Sequence, residues 1–285
     1  MINIFTHLQN NKTLSHGEKQ LALFILEHPD RVLDMNTSEL SKECFVSPAT
    51  IYRLCDKLNL SGFAELKVKI SSSMNDYMKT NTDFNFDFPV SQNQTHYEII
   101  EKICEDYNQT IVSTKNLFDL DQMRHAVHAI EKAKQIDIYT SAGNVFFAEN
   151  FQFQMQEIGI HVNVPVEEYY QRLLAASSDS SHLAIIITFG GRGILSDILP
   201  QILTKKKVPI ILISSPEYTI KGAFPVSQFY ISPYEDHYKK ISSFSTRLSI
   251  LCILDVLYTS YFKINYDENI EKKLSYYQLI REIRK

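Results

Sequence analysis

The chain has 285 residues and a mass of 33.0 kDa, enough for two compact domains, since one hydrophobic core usually serves about 100–200 residues. Hydrophobic residues make up 44% and charged residues 22%, and no apolar run reaches the roughly 18–20 residues of a membrane span, which excludes a membrane class. The formal net charge is -4, and the first 80 residues hold nine Lys/Arg against nine Asp/Glu, so bulk charge does not advertise a polyanionic partner.

The start, Met1-Ile2-Asn3-Ile4-Phe5-Thr6-His7, lacks the basic head, long apolar stretch and small-residue cleavage site of a signal peptide, so a cytoplasmic protein is expected. Cys44, Cys55, Cys104 and Cys252 form no C-x-x-C pair and have no His at ligand spacing. They read as small core hydrophobes, with no disulfide framework, no metal site and no cofactor implied.

Residues 14–79 read as helical. Leu21, Phe24 and Ile25 make the apolar stripe of a first helix that Pro29 closes. Thr37 or Asn36 can cap a second, Ser38–Glu43, with Leu40 and Cys44 on one face. After a break at Phe45-Val46, Ser47-Pro48 supplies an N-cap serine and a first-turn proline for a helix through about Leu58. Ile51, Leu54, Cys55 and Leu58 should face inward, leaving Ala49, Thr50, Tyr52, Arg53, Asp56 and Lys57 outside. A further helix from Phe63 seals this small core.

The stretch 78–96 turns to Ser, Asn, Gln, Thr and Asp, with Pro89 inside it, and reads as a linker between a first domain, 1–77, and a second, 97–285. Beyond it come two helices, Tyr97–Phe118 and Asp121–Lys134. Five candidate strands follow: Ile136–Thr140, Ile160–Val164, Leu183–Thr188, Val208–Ser214 and Gln228–Ser232. They alternate with the helical segments Phe146–Ile158, Glu167–Ala176 and Ile194–Thr204, which implies right-handed βαβ units around a parallel sheet. A long apolar helix, Ile241–Phe262, and a charged tail, Asp267–Lys285, complete the chain.

Two short helices joined by a tight turn, the second opened by Ser-Pro, have the proportions of a helix-turn-helix whose second helix enters the major groove of double-stranded DNA. Arg53 can offer a bidentate fork to guanine, Thr50 and Tyr52 can reach bases or phosphates, and Ser47 with the free N–H groups of the helix start can hold a phosphate. Spacing alone fits a small helical bundle with one solvated face equally well.

From residue 14 to residue 67 the sequence resembles the N-terminal domain of RpiR-family regulators. The likeness runs through Leu14-Ser15, Glu18-Lys19, Ile25-Leu26, Thr37-Ser38-Glu39-Leu40-Ser41, Val46-Ser47-Pro48-Ala49-Thr50-Ile51-Tyr52-Arg53-Leu54, Lys57-Leu58 and Gly62-Phe63-Ala64-Glu65-Leu66-Lys67. The resemblance assigns base and backbone contacts to Ser47, Thr50 and Arg53, and a phosphate contact to Lys57.

In the second domain, Thr140-Ser141-Ala142-Gly143-Asn144 and Thr188-Phe189-Gly190-Gly191-Arg192-Gly193 each lead from a strand into a helix, where backbone N–H groups and the helix dipole suit an anion. Ordinary strand-to-helix turns share those glycines. The domain is similar to the sugar-isomerase (SIS) domain of RpiR regulators, which implies a phosphorylated sugar as ligand. Asn144 stands where that pattern has Ser, and Gly190 and Gly193 stand where the second loop has Ser and Thr. Ser141, Asn144, Thr188, Gly190, Gly191, Arg192 and Gly193 are therefore the expected ligand set, joined through the resemblance by Lys240 and Ser243 of His237–Arg247.

The expectation is an α/β multi-domain protein: an all-α helix-turn-helix bundle, then an SIS domain with a five-stranded parallel sheet flanked by helices. It would act without catalysis, as a homodimer or tetramer on a palindromic site. The rivals are a sugar-phosphate isomerase, for which Glu149, His161 and Glu167 are the nearest bases, and a ligand-independent DNA-bridging protein.

Overall fold

The computed structural model describes residues 4–5, 8, 14–78, 84–191, 193–195 and 197–283. Contacts between α-carbons divide the chain into two compact units, residues 1–120 with 232–245, and residues 121–231 with 246–285.

In the first unit, helix α1 (His16–Glu27) starts where Glu18 Oε2 accepts the Ser15 amide at 2.6 Å, satisfying an N–H that the helix itself cannot. Pro29 ends α1, and it also does something the sequence reading missed: it opens a further short helix, α2 (Pro29–Asp34), at the first-turn position where the absent N–H costs nothing. Asn36, rather than Thr37, caps α3 (Thr37–Glu43): its Oδ1 accepts from Ser38 N at 2.9 Å and Glu39 N at 3.0 Å. Helices α4 (Pro48–Lys57) and α5 (Phe63–Met78) follow. Leu21, Ile25, Val32, Leu40, Ile51, Leu54 and Leu66, all fully buried, form one core among these helices.

Helix α6 (His96–Asn116), capped by Thr95 and Glu98, groups by contact with this unit. Residues 232–245 return to it. Ser232 Oγ donates to Ser113 Oγ at 3.1 Å, and the Thr110 and Ser245 hydroxyls meet at 2.6 Å. Of the stretch read as a linker, residues 79–83 lie outside the described residues.

The second unit holds α7 (Leu120–Lys132), which begins at the last residue of the first, and the sheet: β1 (Gln135–Tyr139), β2 (Val162–Asn163), β3 (His182–Ile187), β4 (Ile210–Ser214) and β5 (Ser227–Tyr230). All neighbours are parallel, in the order β2-β1-β3-β4-β5, as the alternation of elements implied. Leu183, Ala184, Ile185, Ile186 and Ile187 are buried in succession, with no polar residue between them, because helices cover both faces of a parallel sheet. Helices α8 (Val145–Gln156), α9 (Glu168–Ser177) and α10 (Ile198–Lys205) alternate with the strands, and α11 (Phe244–Phe262) follows β5.

A 3₁₀ turn joins α11 to α12 (Tyr266–Ile283). By length and composition this continuous run could cross a membrane, yet Ile250, Ile253, Leu254 and Leu257 are buried within the protein. Cys44 and Cys55 are core residues as expected, whereas Cys104 lies exposed on α6 and Cys252 is half-buried.

Candidate functional site

Helices α3 and α4 are joined by a tight turn in which Phe45 adopts φ 52° and leaves its ring 90% exposed. Ser47 precedes α4 in extended conformation, and Pro48 occupies the first turn. Along α4, Ile51, Leu54 and Cys55 point into the core, while Tyr52, Arg53, Asp56 and Lys57 are exposed. The expected outer face is therefore present, with two adjustments.

Thr50 is the first. Its side chain is buried, with Oγ1 3.0 Å from Ser47 Oγ and 3.1 Å from the Arg53 guanidinium. Rather than presenting its hydroxyl outward, Thr50 is the hub that ties the helix start to Arg53. The second is Lys57, whose ammonium lies 2.6 Å from the buried Glu18 of α1. Burial alone would raise the Glu18 carboxyl, but the bonds from Lys57 and Ser15 hold it below the usual carboxylate range. The pair clamps α1 to α4, and so fixes the angle at which α4 is presented.

At the sheet, the strand order reverses direction between β1 and β3, so the loops leaving these neighbouring strands flank the topological switch point where open α/β sheets bind small ligands. The first loop has Ser141 exposed, a 3₁₀ turn at Ala142–Asn144 with Ala142 at φ 53°, and the amino end of α8 behind it. Its root is firm: Thr140 Oγ1 donates to Ile187 O at 2.8 Å, and Gln171 Nε2 donates to Thr140 O and Pro165 O at 2.8 Å each.

In the second loop Thr188 is buried and its Oγ1 accepts the Gly191 amide at 2.9 Å, so this hydroxyl braces its own loop. Gly191, at φ 68°, is required: a Cβ there would stand 2.2 Å from the Tyr218 ring. Gly190 and Gly193 are exposed, while Arg192 lies outside the described residues. Sequence reasoning overlooked Tyr218, which reaches this loop from 27 residues downstream in a segment without a motif.

In the segment before α11, Lys240 is already paired within the protein. Lys240 Nζ lies 2.9 Å from Glu235 Oε2, both side chains buried, and Glu235 Oε1 also accepts from Ser245 N. Lys240 and Ser243 belong to the first unit, whereas both loops belong to the second. Among the described residues no group of three His, Cys, Asp or Glu is arranged to hold a metal ion.

Residues 2–76 match the model of the helix-turn-helix domain, rpiR family. Over 253 residues the chain is 24% identical to an uncharacterized HTH-type transcriptional regulator of Caldanaerobacter subterraneus, covering 87% of this chain and 86% of that one. It is 22% identical over 193 residues to the HTH-type transcriptional regulator HexR of Pseudomonas aeruginosa, covering 67% and 66%. Among solved structures, the Vibrio vulnificus NanR protein complexed with ManNAc-6P is similar across 99% of both chains, with TM-score 0.59 and 15% identity. The sugar isomerase domain of an RpiR transcription factor from Sphaerobacter thermophilus matches 67% of this chain and 99% of its own length, with TM-score 0.51 and 14% identity.

Proposed function

From a chain whose N-terminal domain is a helix-turn-helix domain of the rpiR family, followed by an α/β domain with the SIS fold, we propose a DNA-binding transcription regulator that responds to a phosphorylated sugar or related small anion. The observation that carries the DNA half is α4: a Ser-Pro start whose Thr50 hub steadies Arg53 at the exposed face. A guanidinium held in place loses less freedom on meeting guanine than a mobile one. In this reading residues 1–77 bind the operator and 97–285 sense the ligand and pair subunits in the cytoplasm, while 78–96 join them, anchored where Phe86 stacks on Tyr234 and Asp87 accepts from Asp236 N and Ile241 N.

In this reading the anion is held by Ser141, Asn144 and the backbone of Gly190, Gly191 and Gly193, where the loops flank the switch point. The NanR structure, which holds ManNAc-6P, supports a phosphosugar as the class of effector. Exposed apolar residues of α12, Leu274, Ile280 and Ile283, supply a surface for a second copy, so that two α4 helices meet a palindromic site.

An isomerase reading has less support, because the three bases nearest in sequence are occupied or turned to the surface. Glu167 accepts from Tyr169 N and Tyr170 N as the cap of α9, and Glu149 and His161 lie on the exposed surface.

The deciding experiment is fluorescence anisotropy with operator DNA. Arg53→Ala is expected to cost about 1–3 kcal/mol of specific binding while hexose 6-phosphate binding, read by calorimetry, stays unchanged. Wild-type operator affinity in Arg53→Ala would refute α4 as the reading helix. Interconversion of aldose and ketose phosphates by the wild-type protein would refute the non-catalytic reading.

A further inference from the structure

At the end of the sheet opposite the two loops lies a cleft of about 470 Å³, within the second unit. His182 opens β3, Ser180 and Ser181 precede it, Pro209 and Val226 stand just before β4 and β5, and the last turns of α7 bring His125, His128 and Lys132. The volume lies in the range of small-molecule sites.

Its chemistry is one-sided. The polar lining consists of three imidazoles, one ammonium and two hydroxyls, with no carboxylate among the lining residues, over an apolar floor of Ala129, Ala133, Pro209 and Val226. Three histidines invite a metal, but no three ligating groups among the described residues are arranged to hold one.

One of the imidazoles is held in place. His182 Nδ1 lies 2.8 Å from Oδ2 of Asp137, a carboxylate 1% exposed, whose Oδ1 accepts from Asn163 Nδ2 at 2.7 Å. The carboxylate assigns the Nδ1 proton and orients the ring, the arrangement by which a buried acid prepares an imidazole for a further contact. Of the other flanking acids, Asp179 is occupied by Ser181 N and Oγ at 2.8 and 2.7 Å, and Glu131 stands 3.6 Å from His128 Nδ1 on the surface of α7.

We infer that this cleft is a binding site for a small phosphorylated metabolite, separate from the switch-point loops. Lys132, His125 and His128 would hold the phosphate, the ring of His182 would wall the cleft beside it, and the apolar floor would take the carbon body. Phosphate suits the donor set better than carboxylate, since its three terminal oxygens can use more of the available N–H and O–H groups.

The test is a titration of the full-length protein with inorganic phosphate and with a hexose 6-phosphate, followed by NMR of 13C-labelled histidine. The signals of His125, His128 and His182 should shift saturably with both probes. Lys132→Ala, at an exposed helix end, should weaken this response about tenfold, whereas Asn144→Ala in the opposite loop should leave it unchanged. Two results would overturn the assignment: no saturable shift of these three signals up to about 10 mM of either probe, or shifts that Lys132→Ala leaves intact. A response abolished by Asn144→Ala alone would place the only anion site at the switch point, and so overturn this site while sparing the proposed function.

Discussion

Thr50 and Lys67 are polar side chains buried on helices of the first unit. The spacing of α4 put Thr50 outside, yet its hydroxyl is turned inward to Ser47 and Arg53, because at the first turn a short side chain can bond locally instead of facing the solvent. Lys67 is the sharper case. It is buried against Phe63, with its ammonium 3.4 Å from Asn116 O. Desolvation lowers it to about 8, although Asp119, Asp34 and Glu39 oppose the shift. Below that value both folded and unfolded chains carry the proton, and the folded state bears the whole penalty. Between it and the ordinary lysine value the unfolded chain is protonated and the folded one is not, so stability rises with pH. Urea melts from pH 7 to 9 should show wild type gaining on Lys67→Met, by about 1–2 kcal/mol; parallel behaviour of the two proteins would mean that Lys67 is hydrated. Comparing the two cancels the thiols of Cys44 and Cys55, which burial pushes up to about 11 and about 12. Tyr139 is buried with no hydrogen-bond partner for its hydroxyl among the described residues. Tyr139→Phe should therefore melt no lower than wild type and gain up to about 1 kcal/mol; a clear loss would reveal a partner for that oxygen.

Elements were more legible than side chains. The five strands were visible as short β-rich runs, clearest in β3 and β4, where a covered parallel sheet leaves an unbroken apolar run, although β2 shrinks to Val162–Asn163 at the sheet edge. Helix α2 was hidden because a proline that ends one helix and a proline that starts the next look alike in sequence, and six residues give no periodicity to read. The clamp between α1 and α4 was equally out of reach, for Glu18 and Lys57 are 39 residues apart. The turn between α3 and α4 offers the test at this scale. Phe45 holds a left-handed backbone that costs a side-chain-bearing residue about 1 kcal/mol, and its ring is exposed, so packing returns nothing. Phe45→Gly should raise the melting temperature of the protein, by an amount equivalent to about 0.5–1 kcal/mol, and a lowered one would show that the ring is buried in solution.

For the whole molecule, the balance of charge bears on how DNA binding would work. The nine cations of the first 80 residues match nine acids, and several are already committed: Arg31 lies 2.7 Å from Glu43, Lys57 is clamped by Glu18, and Lys67 is buried. A domain so arranged can release few counterions, because each phosphate contact needs a cation that solvent can reach. Affinity must then come from base contacts made by the Arg53 face and from the joining of two domains on one site, through which the second contact becomes intramolecular. The expected signature is a shallow salt dependence. Raising salt from 50 to 200 mM should weaken operator binding about 10- to 100-fold, less than the about 10³–10⁵ of proteins that make 6–10 phosphate contacts. Arg53→Ala should narrow the preference for operator over random DNA by about 1–3 kcal/mol without flattening that slope by more than about one unit. A steep slope retained by the variant would mean that the protein grips the backbone instead, through cations beyond α4, and would move the reading face elsewhere on the first unit.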